Sequence, residues 1–198
     1  MSSNIWFIAD THFFHSKIIE YCHRPFSNAR EMNDVISSNW CSTVKPQDIV
    51  YHLGDVSFGK EVETDGLLSK LPGSKRLVRG NHDHLDCLRK HFTMNPEFRG
   101  MLGATYAHMY HYPVESWDRR YHGSIHIHGH IHSQSGDKSV IPNRFDVGVD
   151  ANEFTPVSLD YLLANTYSKK GLQELEEQQR QQGSQAPGNS QDDSPAKE

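Results

Sequence analysis

What most limits the fold of this chain is where its short polar clusters fall. Five of them run down the sequence: Asp10-Thr11-His12, Gly54-Asp55, Gly80-Asn81-His82-Asp83, His111 in His-Tyr-Pro, and Gly129-His130-Ile131-His132. The first three come directly after apolar runs of strand length, 4–9, Asp48–Leu53 and Arg76–Val78. Further strands are expected near 103–110, 123–129 and 144–149. Helical spacing fills the intervals: 16–22, stopped by Arg24-Pro25; about Asn28 to Val44; 61–71, broken by Pro72-Gly73; and a last helix from about Ser158. In the second of these, Asn28 caps the start with Glu31 three residues on, and Met32, Val35, Ile36 and Trp40 share a face. Strands alternating with helices predict an α/β sheet, and such sheets bind ligands beyond the carboxyl ends of their strands. The clusters, spread over residues 10–132, are therefore expected to meet at one sheet edge.

Their chemistry is that of a metal site. In Asp10-Thr11-His12, alternation along an extended backbone puts Asp10 and His12 on one side, able to hold one ion together. Asp55 has two oxygens and can bridge two ions. Asn81 offers a neutral amide oxygen, while His82 is placed to meet substrate, with Asp83 expected to orient it. His126, His128, His130 and His132 alternate with Ile125, Ile127, Gly129 and Ile131, and a strand would put all four histidines on one face. Of these, His130 and His132, beside Gly129, are the expected ligands, and His126 and His128 the supporting or surface groups. Arg24, His15 and His52 are candidates for extra phosphate contacts.

The ordered set D-x-H, G-D, G-N-H-D, H and G-H-x-H resembles the calcineurin-like metallophosphoesterases over roughly residues 4–160. The flanking phrases T-H-F-F-H, Y-C-H-R-P-F, V-Y-H-L-G-D-V-S-F-G and D-V-G-V-D are similar to a small bacterial and phage branch. The resemblance implies an α/β fold, a four-layered α/β/β/α sandwich of the metallophosphoesterase type, with two divalent metal ions. Carried over by motif, Asp10, His12, Asp55 and His132 would hold one ion. Asp55, Asn81, His111 and His130 would hold the other, and His82 with Asp83 would be catalytic. The protein-phosphatase signatures G-D-x-H-G and G-D-x-V-D-R-G are absent from the sequence. The short intervals between clusters leave no room for a cap domain.

Two divalent ions less two aspartates leave a cationic pocket suited to phosphate. The expected activity is hydrolysis of phosphate esters by a metal-bridging hydroxide, as a phosphatase or phosphodiesterase on nucleotides or other small phosphorylated molecules. Nitrogen and oxygen ligands favour Mn, Fe, Zn, Co or Ni, with Mn foremost in vitro. A nuclease is the second reading, and a non-catalytic metal-binding scaffold the third. The net charge of −5 comes mostly from the end of the chain: residues 172–198 carry six acids and two bases. The nearly neutral body argues against broad nucleic-acid binding, and Trp117-Asp118-Arg119-Arg120 is the one local basic-aromatic candidate. Three cysteines without paired spacing and no apolar run of membrane-spanning length predict a cytoplasmic protein without a membrane partner. The expected organisation is a metallophosphoesterase domain over 1–170, a helical extension over 171–181 and a disordered polar tail over 182–198.

Overall fold

The structure is a computed structural model and describes residues 3–134 and 141–183. Its first half alternates strand and helix: β1 (Ile5–Ile8), α1 (Ser16–Tyr21), α2 (Ala29–Thr43), β2 (Ile49–His52), α3 (Glu61–Leu68), β3 (Ser74–Val78), α4 (Leu88–His91) and β4 (Phe92–Asn95). The second half holds β5 (Phe98–Leu102), β6 (Thr105–Met109), β7 (Ile125–His128), β8 (Arg144–Asp146), β9 (Val157–Ser158), α5 (Leu159–Ala164) and α6 (Lys169–Gly183). Two sheets result. The first has the order β4-β3-β2-β1-β9, with β1 to β4 parallel and β9 antiparallel to β1. The second has the order β5-β6-β7-β8, parallel except for β5.

Strand alternation builds two cores from one sheet. Ile8, Val50 and Leu77 point to the helices and pack with Ile18, Met32, Ile36, Trp40 and Leu68. Their neighbours Phe7, Tyr51 and Val78 point the other way, onto Ala107, Met109, Ile125 and Ile127 of the second sheet. The outward residues of that second sheet, His108, His126 and His128, are buried as well. Trp117 lies against His126, and the turn at Arg120–His122 contacts the start of α6. The order is α/β/β/α, with the last layer built from this turn and α6. The connection from β6 to β7 carries His111 at its start and then folds onto the second sheet through Trp117.

Local signals explain several boundaries. Asn28 accepts a hydrogen bond from Glu31 N–H, and the Glu31 carboxylate reaches back to Ser27 N–H, one residue earlier than a capping box requires. Asn33, not Val35, joins Met32, Ile36 and Trp40 as a buried residue of α2, because its side-chain oxygen accepts Phe14 N–H. The edge strands β4 and β5 are not anticipated by the sequence pattern. Polar residues interrupt them at exposed Thr93, Asn95 and Arg99, so they lack an apolar run. The helical extension is α6, which starts at Lys169 and includes residues 182–183; the rest of the expected tail, 184–198, lies outside the described residues. No helix among the described residues is long and apolar enough to cross a membrane.

Candidate active site

The five clusters meet at the carboxyl end of the first sheet, joined by direct hydrogen bonds. Asp10 N–H donates to Gly54 C=O, His12 N–H to Asp55 C=O, and Gly129 N–H to His111 C=O. Side chains complete the circuit. The Asp10 carboxylate accepts His130 N–H at 2.8 Å, and the Asp55 carboxylate accepts His82 N–H at 2.9 Å. Beyond β1 the chain pairs through Ala9 with Gly148, which ties the two sheets together beside Asp10.

The backbone achieves this by turning sharply, not by staying extended. Asp10, His12, Asp55, His130 and His132 all have positive φ, between 46° and 75°. The expectation that alternation in an extended strand aligns Asp10 with His12, and all four histidines with one another, is corrected. Strand β7 ends at His128, and His130 and His132 belong to the turn that follows. His126 and His128 sit on the buried outer face of the second sheet, away from the cluster. Non-glycine residues in this region are uncommon and cost of the order of 1 kcal/mol or more each. Gly129 permits the close approach: a Cβ there would collide with the Asp10 carboxylate.

Three groups of donors have ligand atoms within 4.8 Å of one another: Asp10 with His12 and His132, Asp55 with His111 and His130, and Cys22 with His132 and Asp150; the first two are built wholly from the clusters. One Asp55 oxygen stands between these two, 3.7 Å from His12 Nε2 and 3.5 Å from His111 Nε2. Asn81 Oδ1 is 3.0 Å from the same His111 nitrogen. The residues fit a cation, because buried donor atoms are left without partners. Asp10 Oδ1 and both ring nitrogens of His12 are buried with no hydrogen bond. Groups buried in that way are costly, and a metal ion would satisfy Asp10 Oδ1 and one of the two His12 nitrogens.

Other groups aim the ligands. His111 Nδ1–H donates to Leu53 C=O at 2.6 Å, which leaves Nε2 facing Asp55. His132 Nδ1 bonds to Asp150 at 2.7 Å, and Asp150 is gripped by Arg24 through two bonds of 2.8 Å. Such a carboxylate fixes ring orientation and tautomer in metal sites. Asp150, the last residue of D-V-G-V-D, had no role assigned from sequence; its signal was only a carboxylate at a second-sheet strand end.

Electrostatics follow from burial. Burial pushes the His12 imidazole down to about 2, so the ring is neutral. Burial raises the Asp10 carboxyl to about 7 despite nearby His132 and His111. Burial also opposes Asp55 ionisation, but His111 and His82 N–H outweigh it and hold that carboxyl below the usual range. For His132, burial is outweighed by the Asp150 hydrogen bond, and the metal-free ring is raised to about 10.

Three expectations change. Both Asp83 oxygens are occupied by backbone N–H groups of Gly80, Asp55 and Val56, at 2.8–2.9 Å. Asp83 therefore clamps two loops together and does not orient His82. Arg24 is buried, bonded to Asp150 and to the carbonyls of Asp10 and Thr11, so it offers no phosphate contact. His52 is fully buried, bonded through Nε2 to Thr11 and accepting Gly54 N–H at Nδ1. His82 itself is exposed at the rim, its ring 4.9 Å from Phe58 and 6.0 Å from His12. His15 stays beside it, 4.1 Å from Phe58. Trp117 is buried, with the Arg120 guanidinium over it.

This paired His-Asp centre at the end of a two-sheet sandwich belongs with the metal-dependent phosphoesterases. The calcineurin-like phosphoesterase family model matches residues 3–113, and the chain is a member of that family, whose activity is metal-dependent hydrolysis of phosphoesters. It is 39% identical over 166 residues to an uncharacterized protein of Methanocaldococcus jannaschii, covering 80% of this chain and 89% of that one. It is 28% identical over 182 residues to the gene 66 protein of Mycobacterium phage L5, covering 75% and 87%. A crystal structure of a protein of unknown function from Aquifex aeolicus superposes with a TM-score of 0.68 at 26% identity, covering 81% and 98%.

Proposed function

We propose that residues 1–170 form a hydrolase of phosphate esters that uses two divalent ions, Mn foremost in vitro, on nucleotides or other small phosphorylated molecules. The observation that carries this reading is the set of buried, partnerless donor atoms on His12 and Asp10. Asp10, His12, Asp55 and His132 would hold one ion, and Asp55, Asn81, His111 and His130 the other. Bound there, the ions supply Lewis acidity toward the phosphoryl oxygens and make a water nucleophilic at neutral pH.

The chain's own residues do the rest. Leu53 C=O and Asp150 keep His111 and His132 turned inward. Asp83 holds the Asp55 and Gly80 loops at fixed separation. In hydrolysis a water oxygen bonds to phosphorus, the bond from phosphorus to the ester oxygen breaks, and a proton ends on the leaving alcohol. His82, exposed and with its ring free of hydrogen bonds among the described residues, would hand over that proton. His15 at the same rim is a candidate hydrogen-bond donor to phosphate. Three free cysteines, Cys22, Cys41 and Cys87, support a reducing, cytoplasmic setting.

The test is metal analysis of the purified protein together with hydrolysis of p-nitrophenyl mono- and diesters. Metal-dependent cleavage supports the reading. Bound metal with neither ester nor any mono-, di- or cyclic nucleotide cleaved would overturn it in favour of a scaffold.

A further inference from the structure

A side pocket adjoins the candidate centre. It has a volume of about 400 Å³ and is lined by Asn81, Arg79, Arg89, Asn95, Tyr110 and Tyr112, among others. Asn81 belongs to both pocket and centre, so a molecule in the pocket reaches the ligand cluster. A larger groove between α2 and α3, about 750 Å³, is lined by acids and bases alike (Arg30, Asp34, Glu63, Lys70) and by none of the clustered donors. The smaller pocket has both the position and a single sign of charge.

Its wall combines two chemistries. Tyr110 and Tyr112 lie with ring centroids 5.5 Å apart and tilted by 52°. Tyr112 also meets the edge of His130 at 4.4 Å, so one aromatic face starts at the centre itself. Aromatic faces of this kind stack nucleobases, and the Asn95 amide can donate to and accept from a base edge. The second chemistry is cationic. Arg79 donates its Nε–H to Asp83 C=O at 3.0 Å, which anchors the guanidinium while its terminal nitrogens have no partner among the described residues. Arg89, exposed at the start of α4, has no ion pair among the described residues. No carboxylate lines the pocket. Two unneutralised guanidiniums suit a phosphate. The scissile phosphate would be taken by the metal centre, so the arginines call for another.

We infer that this pocket binds the nucleoside side of the substrate, and that the substrate class is a nucleotide with a phosphate besides the one hydrolysed. The inference rests on the phosphoesterase reading above for the identity of the adjoining centre. The size agrees, since small-molecule pockets begin at roughly 300 Å³.

The experiment titrates the metal-loaded full chain with ADP, AMP, inorganic pyrophosphate and adenosine by calorimetry. In parallel, each serves as a competitor of bis(p-nitrophenyl) phosphate hydrolysis. ADP should bind roughly tenfold or more tightly than AMP or pyrophosphate, the scale of one stacked base or one charged contact. Tyr110→Ala should weaken ADP by about the same factor and leave pyrophosphate unchanged. Arg89→Ala should weaken ADP and pyrophosphate alike. Pyrophosphate binding as tight as ADP, or variants that bind ADP like the parent, overturns the inference. If the small ester is not cleaved while ADP binding follows this order, the pocket stands and the phosphoesterase reading is what fails.

Discussion

Asp150 is the residue through which the aiming of a ligand can be separated from its chemistry. Its carboxylate accepts two bonds from Arg24 and one from the His132 ring, and both Arg24 and Asp150 are buried where water does not compete well. Asp150→Ala removes the acceptor that holds His132 Nε2 toward Asp10 and His12. Loss of such an orienting carboxylate typically lowers metal affinity 10- to 100-fold, about 1.4–2.7 kcal/mol. The same change strands the Arg24 guanidinium in the interior, and a broken buried pair costs about 3–5 kcal/mol. For a chain of this size that lowers Tm by roughly 6–20 °C. Arg24→Met breaks the same pair but keeps Asp150 on His132. It should match the stability loss, read with EDTA present, while losing less metal affinity. Metal titration of the folded variants, with circular dichroism to confirm the fold, is the assay. Full metal affinity in a folded Asp150→Ala protein would refute the positioning argument.

Three further outcomes are expected. His82→Ala should retain its metal, measured by elemental analysis, yet turn over at least ~100-fold more slowly, because His82 is not among the buried donors. Gly129→Ala should push the Asp10 carboxylate off His130 N–H and cost roughly 1–3 kcal/mol by overpacking, with weakened metal binding; an unchanged Tm would show that the turn yields freely. The third concerns pH. Burial lowers His52 and His126 from 6.5 to about 3, and each ring accepts a backbone N–H that only the neutral form can take. Between pH 6.5 and 3 the unfolded chain binds protons that these folded rings refuse. Their contribution is full above 6.5 and lost as pH falls toward 3, with a slope of about 1.4 kcal/mol per pH unit for each proton. In EDTA-treated protein, His126→Gln should flatten that acid limb by about one proton, and an unchanged slope would show His126 already charged.

The legible part of the fold was the part with strong local patterning. Apolar stretches before Asp10, Asp55 and Asn81 marked three parallel strands, because strand positions packed on both faces favour apolar residues; in the third only Leu77 and Val78 are apolar and buried. Phe92–Asn95 and Phe98–Leu102 hid because polar residues interrupt both. The donor set was legible for a different reason: aspartate, asparagine and histidine are rare as an ordered series of strand-end residues. The partners that aim those donors were not legible. Leu53 contributes a carbonyl, which every residue has, and Arg24 with Asp150 are 126 positions apart. Asp83 shows how adjacency misleads. It neighbours His82 in the chain, yet its oxygens face three backbone N–H groups because the loop turns its side chain inward.

The backbone at the ligands explains why sequence spacing alone gave the right residues but the wrong geometry. Five donor-bearing residues with positive φ would destabilise an isolated strand end, at roughly 1–3 kcal/mol each. Four of the turns are fixed from another cluster: Asp10 by Gly54 C=O, His12 by Asp55 C=O, Asp55 N–H by the Asp83 carboxylate and His130 by the Asp10 carboxylate, while His132 is held through its ring by Asp150. No cluster can hold its shape without another. What the chain specifies is therefore one interlocked unit whose strain is offset by mutual hydrogen bonds. Its partnerless atoms, on His12 and Asp10, all belong to the donor group that also includes His132. A cation bound there would take Asp10 Oδ1 and one His12 nitrogen, atoms that the interlocking itself leaves empty. This predicts that metal removal loosens residues 10–12 and 129–132 together. Amide exchange in EDTA-treated protein should accelerate in both segments, while β2 and β3 stay protected; loosening of only one segment would show that the clusters are not mechanically coupled.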